Sequence, residues 1–129
     1  MKNLYVREFL RSITPSMILQ LVSSGRVRVV RMKGSDPGMR GLLNSCPSLR
    51  SWTIVVFEGF TYRESGRTLL HEFFHIFLFE SGKHDHLHLP QTYNDKILDA
   101  VARDFQRKYP HFLGTLWKIT QPRQLFVPK

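Results

Sequence analysis

The alternation of apolar and polar residues predicts two helices and then a strand at the start of the chain. Residues 3–12 have helical spacing. Thr14 followed by Pro15 is typical of an N-cap and a first helical position, and the second helix should end near Ser23. The segment "RVRVVRM" (26–32) alternates basic and apolar side chains, which favours a half-exposed strand.

The middle of the chain contains the strongest predicted strand and the most apolar predicted helix. Residues 34–48 are rich in Gly, Pro and Ser, which predicts a loop. The segment "WTIVVFEGF" (52–60) is mostly β-branched and aromatic, which favours a strand. A helix should begin at about Glu64 or Ser65 and run to Glu80.

The last third of the chain predicts one further helix. Residues 83–91 have loop composition, and residues 92–109 form an amphipathic helical pattern. In the tail, "LWKIT" (116–120) is consistent with a short strand. The predicted order is therefore α-α-β-β-α-α with a tail. This order indicates an α+β fold, with a small sheet packed on helices, in a single domain spanning residues 1–129.

Three polar residues interrupt the apolar run of residues 69–79, namely His71, Glu72 and His75. A helix that is apolar on nearly every face is buried, and buried polar groups need partners. The two histidines, four residues apart, share a helix face, so one metal ion can take a nitrogen from each. Glu72 points about a quarter-turn away, where it can reach a water on the ion. The sequence H-E-x-x-H is the zinc signature with this division of roles. The alternative is a pair of core histidines satisfied by carboxylates, with Glu72 in an ordinary salt bridge.

A third ligand is needed, because a catalytic zinc ion takes three protein ligands and keeps a position for water. Asp95 lies twenty residues after His75, and Asp99 follows one helical turn later. We predict that Asp95 coordinates the ion and that Asp99 accepts the N–H of a ligand histidine, which fixes its tautomer. Two alternatives remain open. Both aspartates could lie on the solvent face of their helix, or the ligand could come from the loop histidines His84, His86 and His88.

At this point the sequence resembles a known family. "GRTLLHEFFHIFLF" after the strand "WTIVVF" resembles the ImmA/IrrE-type metallopeptidases, and "SMILQLVSSGRVRVV" is similar to that family's opening. "NDKILD" resembles the Glu-x-x-x-Asp second motif of the wider gluzincin group. The resemblance covers residues 14–106 and implies a zincin-like fold with a zinc cofactor. By position it implies His71, His75 and Asp95 as ligands, Glu72 as general base and Asp99 as the orienting residue.

Two features complicate the resemblance. Asp95 stands where the family has Glu, and its side chain is one methylene shorter, so its helix must approach the ion more closely. The segment "HDHLHLPQ" is also similar to a loop of the SprT-like DNA-associated metalloproteases. That second resemblance implies a third ligand from the His84–His88 loop and a nucleic-acid partner.

The activity expected from these residues is zinc-dependent hydrolysis of a peptide or protein substrate. Glu72 would act as general base toward a zinc-activated water and then deliver the proton to the leaving amine. The developing oxyanion needs a donor, for which the candidates are Tyr93, His88, Tyr109 and His111. If the strand 52–60 lies at the sheet edge, it could pair with an extended substrate, and an internal position is the alternative.

Composition and charge indicate which partners and which compartment to expect. The 129 residues are 42% hydrophobic, which is enough for one core. The formal charge of +9 favours acidic partners, nucleic acid above all, although the basic residues are scattered. Cys46 is the only cysteine, and no secretory or membrane-spanning pattern is present, so we expect a soluble cytoplasmic protein without membrane contact.

Two other function classes therefore stay open. The first is a nucleic-acid-binding protein that uses helices within residues 3–24 and the basic strand 26–33. The second is a catalytically silent zinc protein, in which a fourth side chain such as His86 or His88 completes the coordination of the ion.

Overall fold

Five helices and a small sheet make up the computed structural model, which describes residues 2–33, 39–46, 50–81, 91–120 and 123–124. Within these ranges the side chains of residues 2–6, 46, 91–95 and 123–124 are outside the description. The elements in chain order are α1 (Lys2–Arg11), α2 (Pro15–Ser23), β1 (Val27–Met32), β2 (Gly41–Cys46), β3 (Ser51–Phe57), α3 (Tyr62–Glu80), α4 (Gln91–Lys108), α5 (Phe112–Thr120) and β4 (Arg123–Gln124).

The sheet has the strand order β2-β3-β1-β4. The strands β1 and β3 are parallel, with Val27 opposite Trp52, whereas β2 is antiparallel to β3, with Gly41 opposite Val56. The fourth strand contributes two residues beside β1. Three longer strands with helices segregated around them make an α+β fold, which confirms the predicted class.

The main core lies between one face of the sheet and the helices. Val29, Ile54 and Val56 of the sheet pack in one cluster with buried residues of α3, such as Phe73 and Ile76. Helices α1, α2, α4 and α5 contribute to the same cluster. A smaller cluster on the opposite face of the sheet contains Val30, Val55 and Phe57. No helix within the described ranges is long and apolar enough to cross a membrane.

The predicted loop 34–48 is wrong in its second half, where β2 spans Gly41–Cys46. Gly, Asn and Ser have low strand propensity, but pairing with β3 satisfies the backbone of this segment and overrides that preference. Glycine is needed at position 41. A Cβ atom there would lie 2.5 Å from Thr68 Cγ2 and 2.7 Å from the carbonyl oxygen of Val55, so the strand approaches α3 closely at this point.

The predicted first strand is present as β1 and is partly exposed as expected, but burial does not alternate along it. Val29 and Val30 are both buried and belong to clusters on opposite faces of the sheet. Because β1 lies between β3 and β4, it is an internal strand. Of its basic residues, Arg28 and Arg31 are exposed, and the Arg31 guanidinium lies 5.2 Å from the centre of the Trp117 ring.

The helix boundaries follow their capping residues. Thr14 caps α2 as predicted, with its hydroxyl accepting from Met17 N at 3.3 Å. Helix α3 begins at Tyr62, two residues earlier than predicted, because Thr61 Oγ1 accepts from Glu64 N and donates to the Glu64 carboxylate. The tail segment "LWKIT" is not a strand but part of α5, where the apolar residues recur at helical spacing.

Candidate metal site

The two histidines of α3 bring their ring nitrogens together. His71 Nε2 and His75 Nε2 lie 3.1 Å apart, and the ring centroids are separated by 4.8 Å at an interplanar angle of 63°. The spacing of four residues on one helix produces this convergence, because each turn of an α-helix stacks side chains on the same face. Both rings are half-buried, so their polar edges are largely withdrawn from solvent.

Helix α4 supplies a carboxylate to the other side of the first ring. Asp99 Oδ1 lies 2.9 Å from His71 Nδ1. A carboxylate accepts, so in the neutral ring the proton is assigned to Nδ1 and the lone pair to Nε2. That tautomer directs an acceptor nitrogen of His71 toward His75. The contact predicted from the sequence for Asp99 is therefore present in the structure.

Glu72 lies beside the histidine pair and is nearly buried, with 7% of its surface exposed. Its Oε1 atom is 3.8 Å from His71 Nε2. Ligand atoms of His71, Glu72 and His75 all lie within 4.8 Å of one another, and no other such group of three is found in the described part of the chain. A buried carboxylate next to two imidazoles is an arrangement that can hold a metal ion or move a proton.

The spacing of these atoms fits a tetrahedral zinc ion in part. Two nitrogens at 2.0–2.1 Å from such an ion are about 3.3–3.4 Å apart, close to the 3.1 Å between the two Nε2 atoms. The same distance also fits an N–H···N hydrogen bond, with His75 donating to His71. The 3.8 Å from His71 Nε2 to Glu72 Oε1 is longer than the ideal ligand separation by about 0.4 Å. The histidines therefore fit as ligands better than Glu72 does.

The C-terminal end of α3 is fixed to the beginnings of two strands. The Glu80 carboxylate accepts from both terminal nitrogens of Arg26 and from Trp52 Nε1 at 3.0 Å. The hydrogen bonds from Arg26 lower the pKa of Glu80 below its usual value, while burial opposes this shift. The same hydrogen bond raises the pKa of Arg26. One residue before Glu80, the Phe79 ring stacks on Trp52 at 5.6 Å and lies 6.4 Å from His75. These contacts hold the histidine-bearing helix against the sheet.

Several predicted site residues fall outside the described side chains. Asp95 and Tyr93 belong to α4, and position 95 comes one helical turn before position 99. The loop histidines His84, His86 and His88 lie outside the described residues altogether. The candidate third ligands thus remain predictions.

The strand proposed for substrate pairing is internal. Both edges of β3 are occupied, by β1 on one side and β2 on the other, so an extended peptide cannot add to it. Among the described strands, β2 forms the edge on this side of the sheet. The sequence analysis missed β2, and the only local signal for it is the pair Leu42 and Leu43 between Gly and Asn.

The sequence analysis also missed the contact between Arg26 and Glu80, which are 54 positions apart. No periodic pattern relates them, whereas the helical spacing of His75 and Phe79 could have indicated their proximity. Comparisons of the chain with protein-family models, with curated proteins and with solved structures found no match.

Proposed function

We propose that this protein is a zinc-dependent metallopeptidase in which His71 and His75 bind the metal and Glu72 is the general base. The observation that carries the proposal is the convergence of two imidazole Nε2 atoms to 3.1 Å, with an aspartate on the far nitrogen of His71. Buried histidines need hydrogen bonds, but those bonds do not require two ring nitrogens to converge beside a buried glutamate. The residue types and spacing fit the H-E-x-x-H chemistry.

Asp99 has a positioning role in this proposal. By accepting the Nδ1 proton, its carboxylate keeps the lone pair of His71 on Nε2 and fixes the plane of the ring. A carboxylate that accepts a hydrogen bond from the other ring nitrogen raises the basicity of a ligand histidine. Asp95 is the proposed third ligand, since it precedes Asp99 by one turn in the same helix. A zinc ion in this site would supply a Lewis acid and would lower the pKa of water toward neutrality.

Glu72 moves the proton. Its carboxylate takes a proton from the attacking water as the oxygen adds to the peptide carbonyl carbon. It then donates that proton to the amine nitrogen as the C–N bond breaks. Its near burial favours this role, because bulk water is largely excluded from the carboxylate and the proton is retained between the two steps. The 3.8 Å separation from His71 Nε2 supports a position beside the ligands rather than among them.

The outer edge of β2 is the proposed binding site for the peptide backbone. Among the described residues no strand pairs with this edge, so its N–H and C=O groups can accept an additional strand. Strand β2 approaches α3 at Gly41 and Thr68, and Thr68 is one helical turn before Glu72. A substrate added to β2 would therefore run past the turn of α3 that precedes the general base.

The test combines zinc content with hydrolysis of an unfolded protein substrate. Glu72→Gln preserves size and should keep about one zinc per chain, while hydrolysis falls by roughly 10²–10⁴-fold. The matched control is Glu8→Gln, an exposed residue of α1, which should behave as wild type. Full activity in Glu72→Gln would refute the base role. Zinc binding by wild type with no hydrolysis of any peptide would leave a catalytically silent metal site.

The third ligand is tested by removing each candidate separately. We expect Asp95→Ala to lose most of the bound zinc, measured by elemental analysis after dialysis. Zinc retained in Asp95→Ala but lost in one of the variants His84→Ala, His86→Ala or His88→Ala would transfer the ligand role to the loop. That result would favour the arrangement of SprT-like enzymes. Absence of zinc from wild type would refute the metallopeptidase proposal.

A further inference from the structure

A second candidate site lies between the first half of α3, the last half of α4 and the beginning of α5. It is an open cleft of about 700 Å³, within the size range of small-molecule sites. Four arginines line it, Arg63, Arg67, Arg103 and Arg107, together with His111, and none of the described acidic residues does. None of the three residues of the candidate metal site lines this cleft, so it is separate from that site.

No described acidic residue forms an ion pair with the four cleft arginines. Within the described residues, the ion pairs of arginine join Arg11 to Asp104 and Arg26 to Glu80, and none involves a cleft arginine. Arg67 Nε is buried without a hydrogen-bond partner. Four guanidinium groups that line one cleft without a paired carboxylate repel one another, and a bound anion reduces that repulsion. The fork geometry of arginine fits phosphate oxygens in particular.

The framework of the cleft is ordered by contacts between its walls. Gln106 Nε2 donates to the carbonyl oxygen of Arg63 at 3.2 Å, which joins the end of α4 to the beginning of α3. Phe105 packs against Tyr109 and Phe112 at ring distances of 4.8 and 5.8 Å. The arginines therefore project from helices whose relative position is fixed, which lowers the entropic cost of binding.

An exposed aromatic side chain lies at the rim of the cleft. Tyr62, the first residue of α3, is 61% exposed and lines the cleft. Its ring has Trp117 at 6.5 Å as its one described aromatic neighbour, so much of the ring surface faces solvent. Exposed aromatic rings next to arginines are the combination that stacks nucleobases while phosphates are bound.

We propose that this cleft binds a nucleoside phosphate, with the phosphates on the four arginines and the base against Tyr62. The ligand can be a free nucleotide or the end of a single nucleic-acid strand, since both present the same groups. The excess of basic residues, which gives the chain a formal charge of +9, favours either ligand electrostatically. The site does not depend on a metal at His71 and His75.

The test is isothermal titration of the full chain, at about 0.15 M salt, with ADP, adenosine, inorganic phosphate, a short single-stranded oligonucleotide and a polyglutamate peptide. Arg103→Gln/Arg107→Gln removes two exposed cleft arginines and should weaken ADP binding by roughly tenfold or more. The matched control is Arg7→Gln/Arg28→Gln, which removes the same charge from exposed positions outside the cleft and should change binding less than about threefold. Circular dichroism checks that both double variants fold.

The base and the source of the ligand are tested separately. Tyr62→Ala should weaken ADP binding and leave inorganic phosphate binding unchanged. Tighter binding of the oligonucleotide than of ADP would identify a nucleic-acid strand as the ligand. Tighter binding of ADP would identify a free nucleotide. Equal losses in both double variants would overturn the proposal in favour of diffuse surface charge. Failure of both nucleotide probes to bind, or polyglutamate binding as tightly as ADP, would also overturn it.

Discussion

The contact between Asp99 and His71 yields the sharpest prediction about the candidate metal site. The two atoms are 2.9 Å apart, which is a charge-assisted hydrogen bond. Such bonds contribute about 1.5–3 kcal/mol, and we take the low end because 42% of the Asp99 side chain is exposed to solvent. A loss of about 1.4 kcal/mol corresponds to a tenfold change in an equilibrium constant. We therefore expect Asp99→Ala to weaken zinc binding by roughly tenfold, the lower end of the usual range for such partners.

The assay is competition for zinc with a chromogenic chelator. Asp99→Asn keeps an oxygen that can accept from Nδ1 and should lose less affinity than Asp99→Ala. The matched control is Asp104→Ala, which removes a carboxylate from the same helix. The Asp104 side chain is 53% exposed, and its ion-pair contact is with Arg11 at 3.9 Å. We expect it to bind zinc within about twofold of wild type.

Two results would refute this reasoning. Unchanged zinc affinity in Asp99→Ala would mean that the hydrogen bond to His71 does not prepare that ring for a metal. Equal losses in Asp99→Ala and Asp104→Ala would attribute the effect to net charge rather than to the geometry of the contact. Chemical denaturation of the metal-free variants separates either outcome from a general loss of stability.

Two further predictions concern the stability of α3. A Cβ atom at Gly66 would overlap the Leu113 side chain, so Gly66→Ala should lower the free energy of unfolding by about 1 kcal/mol, which is the overpacking cost less the gain in helix propensity. Urea denaturation measures this change, and adding Leu113→Ala should remove the overlap. A Gly66→Ala variant more stable than wild type would contradict the prediction. Hydrogen bonds from Arg26 lower the pKa of Glu80 below its ordinary value of 4.5, so this pairing stabilises the protein at pH values above 4.5. The contribution is lost as the pH falls through the lowered pKa, because the carboxylate becomes protonated. Glu80→Gln should therefore be less stable than wild type by about 1 kcal/mol at pH 7, and the difference should shrink as the pH falls below 4.5. A pH-independent difference would contradict the assignment.

Local patterns were sufficient to predict helices α1 to α4 and the convergence of the two histidines in the candidate metal site. The spacing of His71 and His75 is a property of one helix, so their convergence follows from sequence alone. The predicted interaction of Asp99 with a histidine also corresponds to a contact in the structure. It could be predicted because α4 has a clear amphipathic period and because ligand histidines commonly have a carboxylate partner.

Non-local pairing explains what could not be predicted. Strand β2 exists because β3 offers it a partner, and nothing in "GLLNSC" by itself requires a strand. The burial of β1 on both faces depends on elements distant in sequence. The arginine cleft joins side chains about forty positions apart. Its arginines line one cleft because α3 and α4 run antiparallel, as the contacts from Arg63 to Gln106 and from His71 to Asp99 require.

The position of β2 at the edge of the described sheet has a consequence for the behaviour of the protein at high concentration. Edge strands are usually protected by lysine, proline or a bulge, because their free backbone groups pair with any extended chain. Residues 41–46 contain no charged residue and no proline. The same edge that suits a peptide also suits the edge of a second molecule. Self-association and substrate capture would then compete for one surface, and a bound peptide would act as a protectant against aggregation.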